Sequence, residues 1–378
     1  MTGDSSGSAA GWVEHLRQGG TTPWLAWTDR TAPESARSLP GAQQLELLRR
    51  INLARGSAPL RSGLADRVLA TTAAGRGKAD LPLLGMPTTG FGPAPVDPAT
   101  VGAHELLRVA SVLVADDLVA LGPDAVRTSW ARPWRRRFRL VGDPVLATGL
   151  REHLRGRGRP EGGPRPHVVA LGAPLDELLA HTWTQRCFEH GSKPWAEWLR
   201  FWRERDQLPA RVDLADSVRR WHPRRPLVRV VTDRDRLPRE LGVRSLPPSL
   251  HRVPGADQAE LARRVAAVVG LRVPSAERPA LMRTLQRRIP DSGVAPVGVP
   301  HRERDWVASS AARMTRHLTR AGYPVVGDLA DLAPRSAPAA VTGADDEQVL
   351  DLAIRMVVDP AWRTDGRAQR RTERQVGQ

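Results

Sequence analysis

Apolar positions along the chain fall into two patterns. Short, nearly unbroken runs occur at PWLAWT (23–28), SVLVA (111–115), HVVAL (167–171) and LVRVV (227–231). Such runs, without polar alternation, predict strands buried on both faces. Elsewhere apolar residues recur at three- and four-residue spacing, which predicts amphipathic helices. Leu45, Leu48 and Ile51 mark one helix; Leu175, Leu178, Leu179, Thr182, Trp183 and Cys187 share a face of another. SKPWAEWLRFW, with Pro194 suited to a first turn, predicts a third, and Leu214, Val218 and Trp221 a fourth. LARRVAAVVG (261–270) reads as helical up to Gly270. Over 305–322, Val307, Ala311, Met314 and Leu318 share one face and Gly322 ends it. A last helix lies near 345–358, before an Arg-rich tail.

Strands alternating with helices predict an α/β fold: a mostly parallel sheet with helices on both faces and a C-terminal helical extension. Each predicted strand is separated from the next by a chain long enough for a crossover, so all four are expected in one sheet. The expected organisation is a disordered stretch at 1–20, one α/β domain over 21–335 with loop-rich segments at 71–100 and 141–166, and a helix and tail over 336–378. In such sheets ligands bind beyond the carboxyl ends of the strands. That rule gathers residues 28–35, 116–117, 172–174 and 232–235 around one crevice.

Composition narrows the partners. The chain is 40% hydrophobic and 26% charged, a globular balance, and no apolar run approaches the roughly 18–20 residues that span a bilayer. The start, MTGDSSGSAAGW, has neither a basic region nor an apolar core, so no secretion signal and a cytoplasmic location are expected. The single cysteine, Cys187, excludes an intramolecular disulfide and an all-Cys zinc site. The formal charge is +16, carried almost wholly by Arg, with Lys78 and Lys193 the only lysines. Such a field raises affinity for polyanions. Replacement of Lys by Arg in a GC-rich genome gives the same composition. Either origin favours anionic over cationic ligands.

SWARPWRRRFRL (129–140) interleaves Trp130, Trp134 and Phe138 with arginines. Arg132, Trp134, Arg135, Arg136 and Arg137 form a candidate polyanion-binding patch, in which aromatic rings stack and guanidinium groups meet phosphate or sulfate. A solvated surface helix has the same composition. Trp195, Trp198, Leu199 and Trp202 form a helical stripe suited to core packing or to the wall of an acceptor site. His181, Cys187 and His190 have no second cluster at metal-ligand spacing, and no metal site is expected. GRGKAD (75–80) lacks the spacing of a phosphate loop, and no nucleophile triad is evident.

Three stretches in order carry a resemblance: VLVADDLVAL; HVVALGAPLDELLAHTWTQR with the following KPWAEWLRFW; and WVASSAARMTRHLTRAGYPVVGDLADLAP. Over most of 105–335 the chain resembles the actinobacterial sulfotransferase-like proteins, a branch of the nucleotide-dependent sulfotransferases with a P-loop-type α/β fold. The resemblance implies sulfuryl transfer from 3′-phosphoadenosine 5′-phosphosulfate to an acceptor hydroxyl. It matches the donor loop to TDRTAPESARS (28–38), which has no Lys and no Gly, leaving Arg30 and Arg37 as candidate cofactor-binding residues. At the second phosphate grip an Arg is replaced by Ala173, and Thr182 stands near the Ser position. Asp116 and Asp117 occupy the place of the acceptor base, although an aspartate there also suits a turn cap. With both phosphate grips altered, the expectation is a degenerate member that binds an anionic ligand or partner. The alternatives are an active transferase using Arg30 or Arg37, and a nucleic-acid or polyanion-binding module. No cofactor other than the phosphosulfate donor is implied.

Overall fold

A computed structural model describes residues 5–27, 40–72, 80–85, 92–125, 130, 136–163, 165–219, 221, 227–247, 250, 252–335 and 341–364. The chain divides into two compact units. One comprises residues 1–123, 260–292 and 345–378; the other comprises 124–259 and 293–344.

The first unit is helical. It holds α1 (Ser5–Arg17), α2 (Ala42–Arg55), α3 (Leu64–Ala70), α4 (Ala103–Leu121), most of α10 (Ala256–Arg272), α11 (Arg278–Arg288) and α13 (Asp346–Val358). The centre is α4, which packs against α2, α11 and α13. Its buried residues include Leu106, Leu107, Val109, Ala110, Val112, Leu113 and Val114, which leave almost no polar face. The SVLVA run predicted as a strand is therefore the middle of a buried helix. An apolar run of five residues cannot distinguish the two, and here its 19-residue setting makes the helix. Residues 5–17 are helical rather than disordered, because α1 buries Trp12 and Leu16 completely. Asn52 of α2 donates to Leu16 O at 2.9 Å and Gly20 O at 2.8 Å, which fixes the end of α1. At 24–26 the chain forms a 3-10 turn, not a strand.

The second unit is α/β. Its sheet is four-stranded and wholly parallel, in the order β1 (Phe138–Gly142), β2 (His167–Leu171), β3 (Val228–Val231), β4 (Val325–Val326). The two strands read at 167–171 and 227–231 are neighbours in it, with Leu171 opposite Val231. β1 and β4 escaped the sequence pattern. Within FRLVG, Phe138 and Leu140 are buried and Arg139 is exposed, so part of the stretch expected as a surface helix is a strand with period-two alternation. On one face Phe138, Leu140, Val169, Leu171 and Val231 pack against Leu146, Leu150 and Leu154 of α5 (Pro144–Gly156) and Leu237 of α9 (Leu237–Glu240). The other face, carrying Val168, Ala170, Val228 and Val230, is equally buried. The unit is completed by α6 (Leu175–Cys187), α7 (Trp195–Arg203), α8 (Leu214–Arg219) and α12 (Arg304–Ala321). No helix among the described residues is long and apolar enough to cross a membrane.

β1 ends on Gly142, at φ 90°, where a Cβ would collide with Leu171 O and lie 2.7 Å from Leu214 Cδ2. Gly142→Ala is expected to destabilise the protein by more than about 1 kcal/mol, because both the backbone conformation and the space exclude a side chain. Urea denaturation measures it.

Candidate functional site

The carboxyl ends of the four strands share one edge, and acidic residues follow each; after three of them an aspartate closes the next turn. After β1, Asp143 Oδ1 accepts the amides of Val145 and Leu146, both at 3.1 Å, and so caps α5. After β3, Asp233 Oδ1 accepts the amides of Asp235 at 2.9 Å and Arg236 at 3.3 Å. After β4, Asp328 Oδ1 accepts the Ala330 amide at 2.8 Å. After β2, the corner Gly172–Ala173–Pro174 leads into α6, whose first turn carries Asp176 and Glu177. Backbone amides at such corners, and the positive end of a following helix, are what a phosphate uses. Here the protein's own carboxylates occupy three corners and stand in the first turn at the fourth.

Two cavities open along this edge. One, of about 520 Å³, lies over the ends of β2, β3 and β4 and is lined by Ala173, Thr232 and Asp331 among others. In it the carboxylates of Glu177, Asp233, Asp235, Asp328 and Asp331 outnumber the guanidinium groups of Arg234, Arg236 and Arg335. The other, of about 640 Å³, shares Glu177, Arg234 and Arg335 with it. Its walls are largely apolar: Ala180 of α6, residues 295–299, and Val307 and Ala308 of α12. Trp195 Nε1 donates to Gly298 O at 2.9 Å and holds the 295–299 wall in place.

His181 also lines this larger cavity, backed by Asp143. The ring Nδ1 lies 2.9 Å from Asp143 Oδ2, and the Asp143 side chain is 1% exposed. Burial raises the Asp143 pKa, but the charge and hydrogen bond of His181, the Leu146 amide and Arg234 outweigh it and leave the group below the usual carboxylate value. An ionised carboxylate only accepts, so His181 Nδ1–H is the donor and Nε2 remains for a ligand. Arg234 Nη2 sits 3.7 Å from Asp143 Oδ2 and 3.3 Å from Glu177 Oε2, and Arg335 Nη1 lies 3.6 Å from Glu177 Oε1. Burial pushes the Asp176 carboxyl up, against the Arg335 amide that donates to its Oδ1 at 3.2 Å. Arg304 is exposed where it lines the cavity and makes no ion pair among the described residues.

Of the residues singled out in the sequence, the structure brings 173–174 and 232–235 to this edge. Asp116 and Asp117 are not there. They lie in the last turns of α4 in the helical unit, where Arg272 Nε is 3.4 Å from Asp116, and Arg67 and Arg363 approach Asp117 at 2.7 and 2.9 Å. The strand that would have presented them is a helix, so they hold helices together and follow no strand. Thr182 is buried within α6 and lines neither cavity. Arg30, Arg37, Arg132, Trp134 and Arg135 lie outside the described residues. The stripe of tryptophans is core at Trp195 and Trp198 and half-buried at Trp202: the Trp195 ring lies 5.5 Å from Trp183 and 5.6 Å from Trp198. Among the described residues no group of three or more His, Cys, Asp or Glu side chains could hold a metal ion. Sequence reasoning passed over the Asp143–His181 pair, whose members are 38 positions apart; the one available signal was the Gly-Asp-Pro turn at 142–144 before a helical pattern.

Neither a family model, nor a curated protein, nor a solved structure matches this chain.

Proposed function

We propose that the α/β unit is a divergent sulfotransferase-like domain that binds a small anionic ligand and does not use a phosphosulfate donor. The observation that carries this reading is the run of carboxylates after all four strands. Asp143, Asp233 and Asp328 already accept the amides that a phosphate would need, and Asp176 and Glu177 stand at the start of α6. A nucleotide bearing several phosphates meets like charge there. A ligand with an apolar body and one carboxylate fits the larger cavity better. Its body packs on Ala180, Val307 and the 295–299 wall, and its charged end meets Arg304, which has no competing ion pair among the described residues.

Calorimetry with adenosine 3′,5′-bisphosphate is expected to show no binding. A panel of aryl and alkyl carboxylates is expected to include compounds that raise the melting temperature, with the gain lost in Arg304→Ala. Low-micromolar binding of the bisphosphate overturns the reading.

The Asp143–His181 pair favours a second reading, an active transferase in which His181 accepts the proton of an acceptor hydroxyl. Sulfuryl transfer that disappears in His181→Ala, with the fold intact, decides for it.

A further inference from the structure

The opposite edge of the same sheet holds a second, smaller pocket of different character. It has a volume of about 250 Å³ and lies at the amino ends of β1 and β2, lined by Arg136, Arg159, His167, Arg239, Glu240 and the 241–242 turn after α9. Three guanidinium groups and an imidazole face one carboxylate, the reverse of the balance at the carboxyl edge. Arg159 builds the pocket. Its Nη1 donates to Leu241 O, its Nη2 donates to Arg136 O at 3.4 Å, and its guanidinium lies 5.6 Å from the Phe138 ring centre. It thus ties the lead-in of β1 to the turn after α9. Arg136 and Arg239 are not used in this way, and neither makes an ion pair among the described residues.

His167 is the decisive group. It is 5% exposed, yet neither ring nitrogen has a hydrogen-bond partner among the described residues. The ring lines the pocket, so a bound acceptor can reach its N–H. Its surroundings are mostly cationic. Arg136 precedes β1, Arg159 stands in the loop before β2, Arg229 is on β3, and Arg239 with Glu240 comes from α9. Glu161, in the loop with Arg159, is committed to Arg151 and Arg155.

We propose that this pocket is a binding site for a single tetrahedral oxyanion, a phosphate or sulfate group, held by Arg136 and Arg239 and completed by a hydrogen bond from His167. The anion supplies the acceptor that the imidazole lacks and the negative charge that the guanidinium groups lack. The site lies at the edge away from the strand ends, so it stands whether or not the carboxylate-ligand reading does. The oxyanion reaches it either free or as the terminal group of a small ester.

Burial, and then Arg136, Arg229 and Arg159, push the His167 pKa down to about 4. An anion among those groups opposes the shift. A pH titration of the His167 ring resonances by NMR, on the full chain at fixed ionic strength, reads it directly. With inorganic phosphate replacing chloride, the midpoint is expected to rise by at least about one pH unit, a tenfold gain in proton affinity. Glucose 6-phosphate serves as the ester. A larger rise with the ester than with phosphate assigns the group to an organic carrier, and an equal rise assigns it to the free anion. The phosphate-dependent rise is expected to vanish in Arg136→Gln and in Arg239→Gln. A midpoint indifferent to both compounds in the unmodified protein overturns the proposal. So does a rise produced only by a single-stranded oligonucleotide, which would make the region part of an extended polyanion surface.

Discussion

Asp143→Ala is expected to destabilise the α/β unit by about 2–4 kcal/mol, from the loss of a helix N-cap and of a charge-assisted hydrogen bond. The large effect follows from what the single carboxylate does. One oxygen caps α5 through the amides of Val145 and Leu146; the other faces His181 and Arg234. Alanine leaves a buried imidazole and two amides without their acceptor. Asp143→Asn, which keeps an oxygen for the cap and loses the charge, is expected to fall between. The effect depends on pH in a definite direction. The folded pKa of Asp143 is lowered, so its contribution is complete above the unfolded carboxylate value near about 3.9 and is lost as pH falls through the lower folded value. The difference between wild type and Asp143→Ala therefore narrows as pH falls below about 4. Urea denaturation at a series of pH values measures both size and trend. A difference below about 1 kcal/mol at pH 7 contradicts the buried-pair account.

Trp195→Ala is expected to remove about 3–5 kcal/mol, as for other large aromatic truncations in a core. The ring lies between Trp183 and Trp198, and its Nε1 is the donor that holds Gly298 O. Trp195→Phe retains most of the packing and loses that bond, so about 1–2 kcal/mol is expected. Because Gly298 belongs to the wall of the larger cavity, the two variants also separate stability from binding. Trp195→Phe is expected to fold and to weaken any carboxylate ligand found by thermal shift. Unchanged affinity in that variant would show that the 295–299 wall holds its place without the indole.

The parts of the fold legible in the sequence were those where burial on both faces leaves no competing pattern. HVVAL and most of LVRVV are strands, and the Gly turn after HVVAL does lead into the amphipathic α6. SVLVA has the same local signature and is helical, since α4 is buried nearly all round and its periodicity is invisible. β1 was hidden by its arginines, with Phe138 and Leu140 as the only apolar alternation among basic residues. β4 has two residues and no periodicity to read. The candidate site was half legible. The rule that ligands bind at strand ends located residues 173–174 and 232–235, but the pairing of Asp143 with His181 depends on how α5 and α6 lie together. No spacing along the chain encodes that.

The partnership of α4 with α13 has a consequence during synthesis. The two helices pack along each other, with Val349, Leu350, Leu352 and Ala353 of α13 fully buried, yet more than half the chain separates them. On a ribosome adding about 5–20 residues per second, α4 emerges roughly 10–50 s before the helix that covers it. For that interval one of the most apolar segments of the protein waits without its partner. The helical unit thus cannot close before α13 has emerged.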